Sequence, residues 1–125
     1  MPKQVPEVPS APAPVGPYSA VTEANGFVFV SGQIPVGPDG VMVTGDVAAE
    51  AGRVLDNLGA ILGDLGLTWT DVVKTTIFLT SMRDFAVVNE VYGGYVGDPA
   101  PARATVEVAA LPKGARVEIE LVAAR

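Results

Sequence analysis

From Arg116 onward the chain alternates without a break. Val117, Ile119 and Leu121 fall on one side of an extended strand, and Arg116, Glu118 and Glu120 fall on the other. Such a run fits only a sheet with one apolar face and one face that carries charge. Residues 103–108 repeat the pattern, with Arg103, Thr105 and Glu107 on one side and Ala104, Val106 and Val108 on the other. Between the two runs lies a turn-forming stretch, Leu111-Pro112-Lys113-Gly114. The direct reading is a hairpin of strands 103–109 and 115–123. A register that keeps Glu107 from facing Glu118 sets Glu107 opposite Arg116, Thr105 opposite Glu118 and Arg103 opposite Glu120. It would gather a guanidinium, a hydroxyl and two carboxylates on one patch.

The rest of the chain supplies partners for this sheet. Residues 2–14 form an extended, Pro-rich lead, and Gly16-Pro17-Tyr18 turns into a first strand at 19–23. Asn25-Gly26 is a hairpin signal, followed by a strand at 27–31 that Gly32-Gln33-Ile34-Pro35 ends. Gly37-Pro38-Asp39-Gly40 marks a turn before a short extended piece, Val41-Met42-Val43. Asp46 is placed to cap a helix over 46–65, with Glu50 in its first turn, facing the positive end of the helix dipole. Val47, Ala51, Val54, Leu55, Leu58, Ile61, Leu62 and Leu65 define its apolar stripe, and Gly66 stops it. Residues 71–79 become a strand, and 84–96 a second helix with Phe85, Val88, Tyr92 and Tyr95 on one side. The order β-β-α-β-α-β-β implies an α+β fold, a sheet with both helices packed on one face. At 125 residues the chain reads as one domain. The sheet face left bare is most cheaply buried against further copies of the chain.

Absent residue types narrow the chemistry. There is no Cys and no His, so disulfides, thiolate nucleophiles, imidazole bases and the common Cys/His metal sites are all excluded. Gly and Pro make up a fifth of the residues, short of a low-complexity composition. No apolar run is long enough to span a membrane, and the Pro-rich start is unlike a signal peptide, so the cytoplasm is the expected compartment. The net charge of −6, with cations scattered singly, speaks against nucleic acid as a partner. Arg103 stands alone: no other Lys or Arg occurs between Arg83 and Lys113. Spacing by itself favours a solvated strand end or an ion pair for it. A guanidinium held on a strand also suits bidentate capture of a carboxylate.

Six segments change that balance. Gly16-Pro17-Tyr18-Ser19, residues 30–35 (Val-Ser-Gly-Gln-Ile-Pro), residues 72–79, residues 88–92 (Val-Asn-Glu-Val-Tyr), Pro101-Ala102-Arg103 and residues 117–120 (Val-Glu-Ile-Glu) stand in the order found in the RidA/YjgF family, the enamine/imine deaminases, which the chain resembles over about residues 11–124. The resemblance implies a chorismate-mutase-like fold and a homotrimer with clefts between subunits. It implies hydrolysis of 2-aminoacrylate, 2-iminopropanoate and 2-iminobutanoate to 2-oxo acids and ammonia, with neither cofactor nor metal. Residue by residue, it implies that Arg103 binds the substrate carboxylate and Glu118 positions the attacking water. Tyr18 would line the cleft, Gly32 and Thr105 would offer backbone contacts, and Asn89 would face the pocket.

Three departures bear on specificity: Thr105 stands where many relatives have Cys or Ser, Ala20 where Gln is frequent, and the stretch 93–101 is short. Relatives have also been described as ribonucleases or translation inhibitors, and a non-catalytic trimer that binds small carboxylates or acts as a holdase is a further reading. The small-molecule imino acid and a second copy of the chain are the expected partners, with neither nucleic acid nor membrane.

Overall fold

The computed structural model describes residues 2–43 and 45–125. Its elements follow the expected order: β1 (Val21–Ala24), β2 (Phe27–Gln33), α1 (Val47–Asp64), β3 (Val72–Leu79), α2 (Phe85–Val96), β4 (Ala102–Glu107) and β5 (Val117–Ala124). Asn25 and Gly26 both take positive φ, 53° and 81°, as a two-residue hairpin turn demands, and β1 pairs antiparallel with β2. Asp46 caps α1 by accepting a 2.8 Å bond from the Ala49 amide. The stripe from Val47 to Leu62 is buried, and Gly66, at φ 73°, turns the chain away from the helix end. Residues 41–43 form no strand; Met42 makes only an isolated bridge to Val36. The Pro-rich lead is tied down. Gln4 bridges to Glu23, and Ser10 binds the Asp64 carboxylate through its amide and hydroxyl at 2.8 and 2.9 Å.

The sheet has five strands in the order β1-β2-β5-β3-β4. The expected hairpin of β4 with β5 is not formed. β3 lies between them, antiparallel to β5 and parallel to β4 through the α2 crossover. Burial explains the choice. Val117, Ile119, Leu121 and Ala123 are all at most 2% exposed, so β5 takes the centre, under α1. β4 has no fully buried residue and suits an edge. The stretch after β4 crosses the end of β3, where Val108 donates to the Leu79 carbonyl and Thr80 to that of Arg116.

This order overturns the expected register. Thr75 has Arg103 on one side and Leu121 on the other, and Ile77 has Thr105 and Ile119. Phe78 has Val106 and Glu118, and Thr76 has Ala104 and Glu120. Arg103 and Thr105 therefore share the face covered by helices, whereas Glu118 and Glu120 share the bare face. Glu107 accepts from the Met82 amide at 2.7 Å instead of pairing with Arg116. Arg116 turns to Glu50, whose buried carboxylate receives both its backbone N–H, at 3.0 Å, and its Nε. On the bare face Phe27 and Phe29 are each 46% exposed.

A central β5 makes unequal demands on its neighbours. Ile119→Ala should cost about 2–5 kcal/mol in denaturant unfolding, the range for a buried large-to-small change. Val106→Ala on β4 should cost less than about 1 kcal/mol in the isolated chain. Equal losses would contradict the strand order.

Candidate active site

Glu118 stands in a cleft of about 340 Å³ walled by Val15, Tyr18, Ser31, Gly32, Ile34 and Pro112, with Glu120 at its side. The cleft exists because β2 loses regular register with β5 between Val30 and Gln33, which lifts Ser31 and Gly32 out of the ladder. Gly32 is a spatial requirement. A Cβ there would overlap the Glu118 carboxylate and lie 2.8 Å from its Cδ and 3.1 Å from its Cγ. Tyr18 enters from the loop before β1, half exposed. Ser31 donates to the Ser19 carbonyl at 2.7 Å and fastens that loop beside the cleft. Asn57, buried on α1, fastens the segment that follows β2 by donating to the Val36 carbonyl at 2.7 Å.

Glu118 is half-buried, and its pKa is raised, first by burial and second by the like charge of Glu120. Among the described residues the ion pairs are Arg116–Glu50 and Arg125–Glu23, so neither Glu118 nor Arg103 is neutralised within the chain. A carboxylate of raised pKa, open to a cleft, is suited to taking a proton from water and returning it.

Arg103 occupies the other face. Its Nη1 donates to Asn89 Oδ1 at 2.6 Å, and its guanidinium carbon lies 5.0 Å from the centre of the Tyr92 ring and 5.7 Å from that of Phe85. Asn89 is thus a direct partner of Arg103. Two residues along β4, Thr105 Oγ1 is buried and has no hydrogen-bond partner. The cluster offers a cation free of any acidic partner among the described residues, suited to a small carboxylate. Among the described residues no group of three or more carboxylates is arranged to hold a metal ion.

The six sequence-derived candidates therefore fall into two groups. Tyr18, Gly32 and Glu118 meet in the cleft; Arg103 meets Asn89 between α2 and β4, with Thr105 two residues along the same face of β4. The single patch expected from the hairpin does not exist, and Glu120 does not face Arg103. Sequence reasoning took Phe85 and Tyr92 for helix core alone. Their spacing with Asn89, four and three residues apart, puts all three on one helix face and was a usable signal.

The chain has counterparts among known proteins. A family model described as Endoribonuclease L-PSP matches residues 8–125. The chain is 53% identical over 116 residues to a RutC family protein of Synechocystis, covering 90% of this chain and 89% of that protein. It is 48% identical over 114 residues to human 2-iminobutanoate/2-iminopropanoate deaminase, covering 90% and 83%. The crystal structure of RidA from an Antarctic Psychrobacter matches with a TM-score of 0.92 at 41% identity, covering 98% of this chain and 99% of that one. The protein belongs to this family, the endoribonuclease L-PSP or RidA/YjgF family.

Gly32→Ala should displace the flexible end of Glu118 while sparing the core. Any turnover that depends on Glu118 should fall at least about tenfold, with the melting temperature within a few degrees of the parent. Unchanged turnover would show that the Glu118 position is unimportant.

Proposed function

We propose that the protein hydrolyses short 2-imino acids, and the 2-enamino acids that tautomerise to them, to 2-oxo acids and ammonia. The observation that carries this reading is that one chain holds both an acid-free arginine resting on aromatic rings and an unpaired glutamate in a cleft. Both groups are poised, and neither is neutralised by the other. The name of the human relative supports the substrate class.

An imine conjugated to a carboxylate is already electrophilic, so the demands on the protein are modest. Arg103 holds the substrate carboxylate through charged hydrogen bonds worth about 1.5–3 kcal/mol each. Glu118 takes a proton from water as its oxygen adds to the imine carbon, and the imine nitrogen becomes an amine. Glu118 returns that proton to the nitrogen and then relays the hydroxyl proton of the carbinolamine to it, so that the carbon–nitrogen bond breaks and ammonia leaves as the carbon–oxygen double bond forms. Water is consumed, and no electrons are exchanged.

Because the two groups lie on opposite faces, one chain does not complete this site. The reading therefore includes a homotrimer in which Arg103 of one copy meets Glu118 of its neighbour, with residues 1–125 acting as one cytoplasmic domain. The bare face with Phe27 and Phe29 is the surface to be buried. The family description as an endoribonuclease raises a second activity. With a net charge of −6 the chain lacks the clustered cations that phosphate backbones require.

Glu118→Gln should lower kcat at least about 100-fold, the scale of a lost general base. Arg103→Ala and Arg103→Lys should both raise KM steeply, since a point charge does not reproduce the guanidinium fork. Light scattering after size exclusion should give three times the chain mass in each case. Near-normal turnover in Glu118→Gln, or a monomer, would contradict the reading. The deprotonated Glu118 is the active form, and its pKa is raised. Activity should therefore fall along an acid limb as pH drops and Glu118 takes up its proton. Glu120→Gln removes one of the two causes and should move that limb to lower pH; a limb that stays put would dissociate it from Glu118.

A further inference from the structure

We infer that Tyr92, tethered by Thr75, is a positioning residue for Arg103, and that it sets the orientation in which the guanidinium meets the substrate carboxylate. The inference rests on the carboxylate-binding role proposed above for Arg103. An arginine on an edge strand has many rotamers, and each must be given up before a bidentate bond can form. Here the side chain is already confined. Asn89 engages Nη1 at 2.6 Å, and the Phe85 and Tyr92 rings lie against the guanidinium. The Nε–Nη2 edge is left for a carboxylate, which matches its two oxygens.

Tyr92 differs from the other two in being buried and tethered. Phe85 and Asn89 are less buried, whereas Tyr92 is 4% exposed and Thr75 fully buried. The two hydroxyls are 2.7 Å apart. Thr75 is also the residue that pairs with Arg103 across β3 and β4. One side chain thus ties the ring on which the guanidinium rests to the strand position from which that guanidinium projects. A phenylalanine would fill the same core without a hydroxyl to satisfy. The hydroxyl pair adds a fixed tilt of the ring, and the tilt sets where the cation sits.

A merely structural hydroxyl pair would affect stability and leave substrate affinity alone. The test is steady-state kinetics on 2-iminobutanoate generated in situ, with titration of 2-oxobutanoate as a direct probe of carboxylate binding. The variants are Thr75→Val, Tyr92→Phe and Tyr92→Leu, with Arg103→Ala as reference. Tyr92→Leu, which removes the ring, should raise KM and the 2-oxobutanoate Kd about tenfold with kcat within about twofold. Thr75→Val and Tyr92→Phe keep the packing and lose the tether. Each should raise KM about threefold, and the double variant no further, because both remove one interaction. Should Tyr92→Leu fail to assemble, the two near-isosteric variants decide the question alone. Lower melting temperatures with unchanged KM and Kd in these variants would overturn the inference. A normal KM in Arg103→Ala would instead overturn the carboxylate reading beneath it.

Discussion

Val117, Ile119, Leu121 and Ala123 lie packed under the helices in the middle of the sheet, and their burial dictates where the functional groups go. A strand has two faces, and filling one with core side chains commits the other. Glu118 and Glu120 are therefore presented on the bare face as a consequence of the packing beneath them. The same placement leaves β4 at the edge, in parallel register with β3, and sends Arg103 and Thr105 to the helix side. The sheet thus lies between the cation and the carboxylate of one chain.

That separation has a chemical use. A guanidinium beside Glu118 would favour its charged form and lower its pKa. It would also occupy the fork that a substrate carboxylate needs. Here burial and Glu120 raise the Glu118 pKa, and Arg103 rests on aromatic rings and an amide. Within one chain, neither group is neutralised among the described residues. In the proposed trimer, catalysis and assembly are then the same event, and the exposed Phe27 and Phe29 supply the apolar area that drives it.

Local rules made much of the fold legible. Asp46 as a cap, the α1 stripe, the Asn25-Gly26 turn and the element order all follow from short-range chemistry, and all are present. Strand partnership did not follow, because alternation in residues 103–108 and 115–123 is compatible with either a hairpin or an intervening strand. Total burial of one side of β5 decided it, a long-range quantity that involves α1, β2 and β3 together. The expected contact between Arg103 and Glu120 failed with the hairpin, and so did the idea of a single patch. Motif order put all six residues at one site, with Thr105 opposite Glu118; within the chain Tyr18, Gly32 and Glu118 share the cleft, and Asn89, Arg103 and Thr105 lie on the other face. The spatial need for glycine at 32, where a side chain would strike Glu118, was invisible without the β2 irregularity.

In the proposed trimer, Arg103 and Glu118 of different copies make one site. Two inactive variants, Arg103→Ala and Glu118→Gln, should regain activity when mixed trimers are made by co-expression with different affinity tags and purified through both. A contact between an intact arginine of one copy and an intact glutamate of the other restores a complete site. Activity in the mixed trimers well above that of either parent variant is the predicted result. Mixed trimers as inactive as the parents would contradict the account and require both groups to act within one chain.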